Sequence, residues 1–137
     1  TDHCKEATAP YPGIMELLKT LQEHEIPMAI VSNKNDAAVK RLAADFFEGI
    51  ISVAIGERTG VRKKPAPDTV FTALDELGEH ADSAVYVGDS EVDLQTAANS
   101  GMDCISVAWG FKGRAFLEKE GASHIVDTPE EILRFLI

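Results

Sequence analysis

VYVGDSEVDLQTAANSGM, residues 85–102, runs a short apolar segment into a glycine and then sets two carboxylates, Asp89 and Asp93, four residues apart. An apolar run followed by a helical stretch that stops at Gly101 predicts a strand entering a helix through a close turn. Asp89 would stand at the strand tip, with Asp93 one helical turn on and facing the same way. Carboxylates that converge like this repel each other unless a cation is present. Mg²⁺ suits them best, because it is a hard ion held by a few carboxylates, waters and a substrate phosphate. The alternative is structural, with Asp89 and Ser90 capping the helix and Asp93 complementing its dipole.

The same strand-to-helix unit recurs in both directions from this stretch. Upstream, Ile14, Leu17, Leu18 and Leu21 lie on one face of a helix over 13–24, and MAIVSN, residues 28–33, reads as a buried strand. A helix over 36–47 follows, with Val39, Leu42, Ala43 and Phe46 at helical spacing, then a β-branched strand over 50–55 and a helix over 68–77. Downstream come a strand over 104–108, a helix over 114–120, a short strand over 124–126 and a helix over 129–137 opened by Thr128. Strictly alternating helices and nearly all-apolar strands predict a doubly wound α/β fold, a mostly parallel sheet with helices on both faces. The chain has no linker rich in proline, glycine or serine, so residues 1–137 read as one domain.

Ligands of such sheets bind outside the C-terminal ends of the strands, so those ends are where chemistry is sought. Ser32, Asn33, Lys34 and Asn35 follow the first strand. They form either a donor-rich nest for a phosphate or an ordinary helix cap. GERTGVRKKPAP, residues 56–67, follows the second strand, and in it Arg58, Arg62, Lys63 and Lys64 outnumber Glu57 in a chain of net charge -10. A solvated basic loop is one reading. The other is that Pro65 and Pro67 stiffen a segment that presents the Lys64 ammonium to a phosphoryl oxygen. With Asp89 and Asp93 after the third strand, these groups share one sheet edge and supply what phosphoryl transfer needs, donors and a cation around a phosphate.

Composition narrows the partners. A net charge of -10 disfavours nucleic acid and anionic membrane. Two cysteines, Cys4 and Cys104, fit a reducing compartment, and no apolar run reaches the about 18 residues of a spanning helix, so a cytoplasmic protein is expected. His3, His24, His80 and His124 show no metal-ligand spacing, and Trp109 and Phe111 are expected to pack at the core or the pocket rim.

VSNK, KKPAPD and VGDSEVD, in that order, resemble motifs II, III and IV of the haloacid dehalogenase-like hydrolases, and most of all the bacterial phosphoglycolate phosphatases. YPGIMELLKTLQEHEIPMAIVSNK and AWGFKGRAFLEKEGASHIVDTPEEILRFL extend the resemblance over nearly the whole chain. It implies a Mg²⁺-dependent phosphatase acting on a small phosphorylated metabolite such as 2-phosphoglycolate through a phosphoaspartyl intermediate. On that pattern Ser32 and the Asn33 backbone bind phosphate, Lys64 neutralises the phosphoryl group, Asp89 ligates the metal, and Asp93, at the same metal site, orients a metal-bound water or Lys64.

One departure matters. No D-x-D occurs anywhere in the 137 residues, although the family's first motif supplies its nucleophile and general acid in that form. The chain therefore resembles the C-terminal part of such an enzyme, without the first-motif strand or the cap, and is expected to be inactive alone. The family places that strand mid-sheet, so two strands here would lack a neighbour. Re-pairing of the sheet, self-association and pairing with a separate N-terminal segment are the routes left open. A non-catalytic phosphate- and metal-binding or assembly domain is the competing reading. A receiver-like signalling domain is a weaker one, because Lys64-Pro65 precedes Asp89 here, whereas a receiver places its Lys-Pro last.

Overall fold

The computed structural model describes residues 13–51, 53–62, 64–109 and 113–136. Thr1–Pro12 with His3 and Cys4, Ser52, Lys63, Gly110–Lys112 with Phe111, Ile137 and the Phe46 side chain lie outside the described residues. Helices and strands alternate as α1 (Ile14–Glu23), β1 (Ala29–Asn35), α2 (Asp36–Phe47), β2 (Val53–Glu57), α3 (Asp68–Leu77), β3 (Val85–Gly88), α4 (Glu91–Ser100), β4 (Asp103–Val107), α5 (Gly113–Lys119), β5 (His124–Val126) and α6 (Pro129–Leu136). A single 3-10 turn, Ala81–Ser83, precedes β3. All strand pairings between these elements are parallel, as continuous apolar runs joined by helices require.

The sheet is in two pieces. β1 pairs with β2, Ala29 opposite Val53 and Val31 opposite Ile55. β3 pairs with β4, Val85 opposite Asp103, and β4 with β5, Ile105 opposite His124. Among the described residues β1 and β3 do not bond to each other, so each is the edge of its own half-sheet.

Helices hold the halves together. On one face Val31, Val53, Ile55 and Tyr86, drawn from both halves, pack with Val70, Ala73 and Leu74 of α3 and Ala97 of α4. On the other face Leu17 and Leu21 of α1 pack with Ile105, Val107 and Val126, while Met15 and Leu18 of the same helix reach the cluster of Ile30, Ala54 and Phe47. Full burial of each such aliphatic side chain contributes about 1.5–3 kcal/mol, so a helix shared by two half-sheets couples them strongly.

The predicted elements hold, with shifted ends. The strand expected over 50–55 forms three residues later, because the Ile50 and Ile51 amides both donate to the Phe47 carbonyl and close a turn after α2. β2 then runs through Gly56, where a side chain would collide with the backbone of Lys34–Asp36. Glycine at that point lets the end of β2 approach the β1–α2 junction closely.

Candidate active site

At the tip of β3 the backbone passes so near the Asp93 side chain that a Cβ on Gly88 would collide with it. Glycine is therefore required here for close approach, and the gain is that the Asp93 carboxylate lies over the strand end. Ser90 is the N-cap of α4 and forms a capping box with Asp93, its hydroxyl accepting from the Asp93 amide at 3.4 Å. Asp93 Oδ2 accepts from the Asp89 amide at 2.9 Å, the Ser90 amide at 3.2 Å and the Ser90 hydroxyl at 3.1 Å. Its Oδ1 accepts from the Tyr86 hydroxyl at 2.8 Å and the Lys64 ammonium at 3.0 Å.

Lys64 crosses from the other half of the molecule. Its side chain and that of Asp93 are both fully buried, and Lys64 also donates to the Tyr86 hydroxyl at 3.1 Å. A buried ammonium is tolerable only with such partners. Asn33, just beyond the first strand's apolar run, fixes the Lys64 backbone from both sides: its Oδ1 accepts from the Lys64 amide at 2.6 Å and its Nδ2 donates to the Lys64 carbonyl at 3.3 Å. The Lys64–Pro65 peptide bond is cis, and Asn99 of α4 donates to the Pro65 carbonyl at 2.8 Å. The lysine loop thus ties the β1 edge to the β3 edge at their C-terminal ends.

Burial pushes the Asp93 pKa up, but the Lys64 charge and hydrogen bond, the Asp89 amide and the Tyr86 hydroxyl outweigh it and hold the group at about 2. Asp93 is an anion at any physiological pH. A carboxylate has about four lone-pair sites, and five protein donors already converge on this one. Both oxygens of Asp93 are thus engaged by protein donors, the Lys64 ammonium among them.

Asp89 stands at the same strand tip and is buried. Two residues on, Glu91 Oε2 is buried without a hydrogen-bond partner among the described residues, an arrangement that a nearby cation would relieve. Among the described residues no three His, Cys, Asp or Glu side chains form a ready-made metal cluster. Mg²⁺ asks less than that, since one or two carboxylates with waters and a phosphate suffice, so Asp89 fits as part of its shell.

Ser32 is fully buried within β1, where the strand's apolar run ends, and its Oγ accepts from the Lys34 amide at 3.1 Å. The strand runs on to Asn35, which caps α2 by accepting from the Ala38 amide at 2.9 Å. Of the expected nest, Asn35 is thus a helix cap and the Asn33 side chain a clamp on Lys64. Both arginines of the basic loop have acidic partners. Arg62 is bonded bidentately to Asp68, and Arg58 lies 3.6 Å from Asp36 and 3.8 Å from Glu76. His24, His80 and His124 are exposed, while Trp109 packs in the apolar cluster between α1 and α6. Tyr86 is the site residue that periodicity concealed. Its signal was a hydroxyl-bearing side chain in an otherwise aliphatic run, whose polar tip needs a partner when buried.

The sequence profile of haloacid dehalogenase-like hydrolases matches residues 1–107. A phosphoglycolate phosphatase of Pseudomonas savastanoi pv. phaseolicola is 32% identical over 133 residues, 93% of this chain and 47% of that protein. One from Aquifex aeolicus is 31% identical, over 76% of this chain and 49% of its own length. Among solved structures, a candidate phosphoglycolate phosphatase from Lactobacillus delbrueckii subsp. bulgaricus superposes with a TM-score of 0.91 at 46% identity, covering 94% of this chain and 54% of that one. CbbY from Rhodobacter sphaeroides, solved in complex with phosphate, superposes with a TM-score of 0.75 at 29% identity, covering 94% of this chain and 59% of that one. The chain spans about half the length of the curated relatives it matches.

Proposed function

The chain belongs to the haloacid dehalogenase-like hydrolase family, and we propose that it carries the phosphate- and metal-binding part, with its lysine, of a Mg²⁺-dependent phosphatase acting on small phosphomonoesters such as 2-phosphoglycolate. The observation that carries this reading is the buried Lys64, held by Asn33, Tyr86 and Asp93 beside Asp89 at the C-terminal edge of the strands. Such an ammonium neutralises the charge of a bound phosphoryl group where water cannot screen it. In this reading the Ser32 hydroxyl and the Asn33 backbone N–H bind the phosphoryl oxygens, Asp93 and Tyr86 keep Lys64 in place, and Asp89 contributes to the metal site. Bound Mg²⁺ would add positive charge against the phosphoryl oxygens.

The phosphoaspartyl intermediate needs a carboxylate from another strand, since Asp93 is committed to Lys64 and Asp89 to the metal side of the site. With no D-x-D within the 137 residues, that carboxylate comes from outside them. Calorimetry of the 137-residue chain with inorganic phosphate should give Mg²⁺-dependent binding, weakened at least tenfold by Lys64→Met and stripped of its metal dependence by Asp89→Asn, without turnover of 2-phosphoglycolate. Phosphate affinity indifferent to both changes would sink the site assignment, and turnover abolished by Asp89→Asn would overturn the expected inactivity.

A further inference from the structure

The loop that carries Lys64 has little with which to hold itself. Of the three residues between Lys64 and Asp68, Ala66 alone has a backbone N–H, because Pro65 and Pro67 lack one. The position of this segment has to come from side chains of the elements around it. Asn33 of β1 grips the Lys64 amide and carbonyl, and one residue on, the Pro65 carbonyl accepts from the Asn99 side chain of α4 at 2.8 Å. Pro65 and Asn99 are 34 residues apart, so nothing local obliges them to meet.

Asn99 shares α4 with Asp93, which takes the Lys64 ammonium at 3.0 Å. Six residues of helix separate the two, about 9 Å along the axis. A single rigid helix therefore holds this lysine at both ends. Near its N-terminus it fixes the charged tip, and near its C-terminus it fixes the peptide just past the lysine's own backbone. With both contacts in place, the ammonium cannot advance or retreat along α4 without breaking one of them.

We propose that Asn99 is a positioning residue for Lys64, setting through the Pro65 carbonyl how far the ammonium reaches toward a bound phosphoryl oxygen. What the ammonium meets rests on the phosphatase reading, whereas where it stands is a property of the chain alone. Asn99 is exposed and the lysine side chain it governs is fully buried, so the loss of Asn99 should fall on geometry more than on folding. Gln22 is the matched case. Its side-chain amide also donates from an exposed helix position to a distant carbonyl, that of Gly49, but Gly49 lies between α2 and β2, at the edge of the sheet opposite the strand tips. An amide that merely pins one surface segment to another would behave like Gln22.

The test uses the 137-residue chain labelled with ¹⁵N at lysine. The Lys64 ammonium, buried and hydrogen-bonded, should give a resonance of its own whose protons exchange slowly with water. Asn99→Ala should shift that resonance and speed the exchange about fivefold, and should weaken binding of inorganic phosphate in the presence of Mg²⁺ by about the same factor, because small displacements of a charged group are costly at such a site. Asn99→Gln, which keeps a donor, should recover most of both losses. Gln22→Ala should cost similar stability and move neither readout. An unmoved Lys64 resonance in Asn99→Ala overturns the proposal, as does an Asn99→Gln variant as impaired as Asn99→Ala, or an equal disturbance of the ammonium by Gln22→Ala. Phosphate binding that is the same in the wild-type chain and in Lys64→Met would instead bring down the phosphatase reading, and the ammonium resonance would still decide the role of Asn99.

Discussion

The tips of β3 and β1 are built differently although they share one edge of the fold. At the β3 tip a single carboxylate gathers five donors under a glycine that leaves it room. At the β1 tip Ser32 accepts one backbone hydrogen bond, and Asn33 reaches away to hold the Lys64 backbone. The β3 side is internally saturated and so rigid, a scaffold for charge. Among the described residues the β1 side gathers fewer bonds on any one group, and its Asn33 serves the lysine loop. Pre-organised charge is what a phosphate site needs, and here the organisation is concentrated on the strand that carries the acidic motif.

The comparison breaks most sharply at Lys64. Lys64→Ala leaves Asp93 buried as an anion without its counter-charge, which should cost about 3–5 kcal/mol of folding stability. Asn33→Ala, on the β1 side of the same loop, removes two partly exposed hydrogen bonds and should cost about 1 kcal/mol. Chemical denaturation of both variants checks the ranking, and equal losses would mean that the two tips are built alike after all.

Acid gives the next largest effect. The Asp93 pKa is depressed from 3.8 to about 2, so its stabilising contribution is present above about pH 4 and is lost as the pH falls toward about 2. The contribution is on the order of 2 kcal/mol. Asp36 and Asp68 are also lowered and will add to any acid limb, so the diagnostic quantity is the difference between the wild-type chain and Asp93→Asn. That difference should be flat from pH 7 to pH 4.5 and shrink below it. A constant difference down to pH 2.5 would show that the buried pair does not hold Asp93 ionised.

Much of this was legible in the residues because the signals were local. Helices over Asp36–Phe47 and Asp68–Leu77 follow from apolar spacing, and Asp89, Asp93, Lys64 and Ser32 lie in or just beyond the C-terminal halves of strands, on the side where the α/β architecture collects functional groups. What escaped depended on tertiary partners. The strand expected from Ile50 slips to Val53 because a turn captures two isoleucine amides. The Arg58 and Arg62 charges looked available until Asp36, Glu76 and Asp68 took them. Periodicity gives Asp93 a face but not its partners, and its bonds with Lys64 and Tyr86 emerge only when the donors are placed around it.

Tyr86 sharpens the comparison by the smallest margin. Its hydroxyl stands between the ammonium and the carboxylate, accepting from Lys64 at 3.1 Å and donating to Asp93 at 2.8 Å. Tyr86→Phe keeps the ring in its apolar cluster and removes only that bridge. Asp93 retains four donors and Lys64 retains Asp93, so no buried group loses its last partner and the stability cost should be about 1 kcal/mol. The effect on position should be larger than the effect on energy, because the hydroxyl is the second contact that fixes the direction of the ammonium. Phosphate affinity should therefore fall several-fold in Tyr86→Phe, while Ser100→Ala, which removes a buried hydroxyl bonded to the Thr96 carbonyl within α4, should lose similar stability and leave the affinity unchanged. Equal affinities in the two variants would reduce Tyr86 to a core residue and leave Asp93 alone in charge of Lys64.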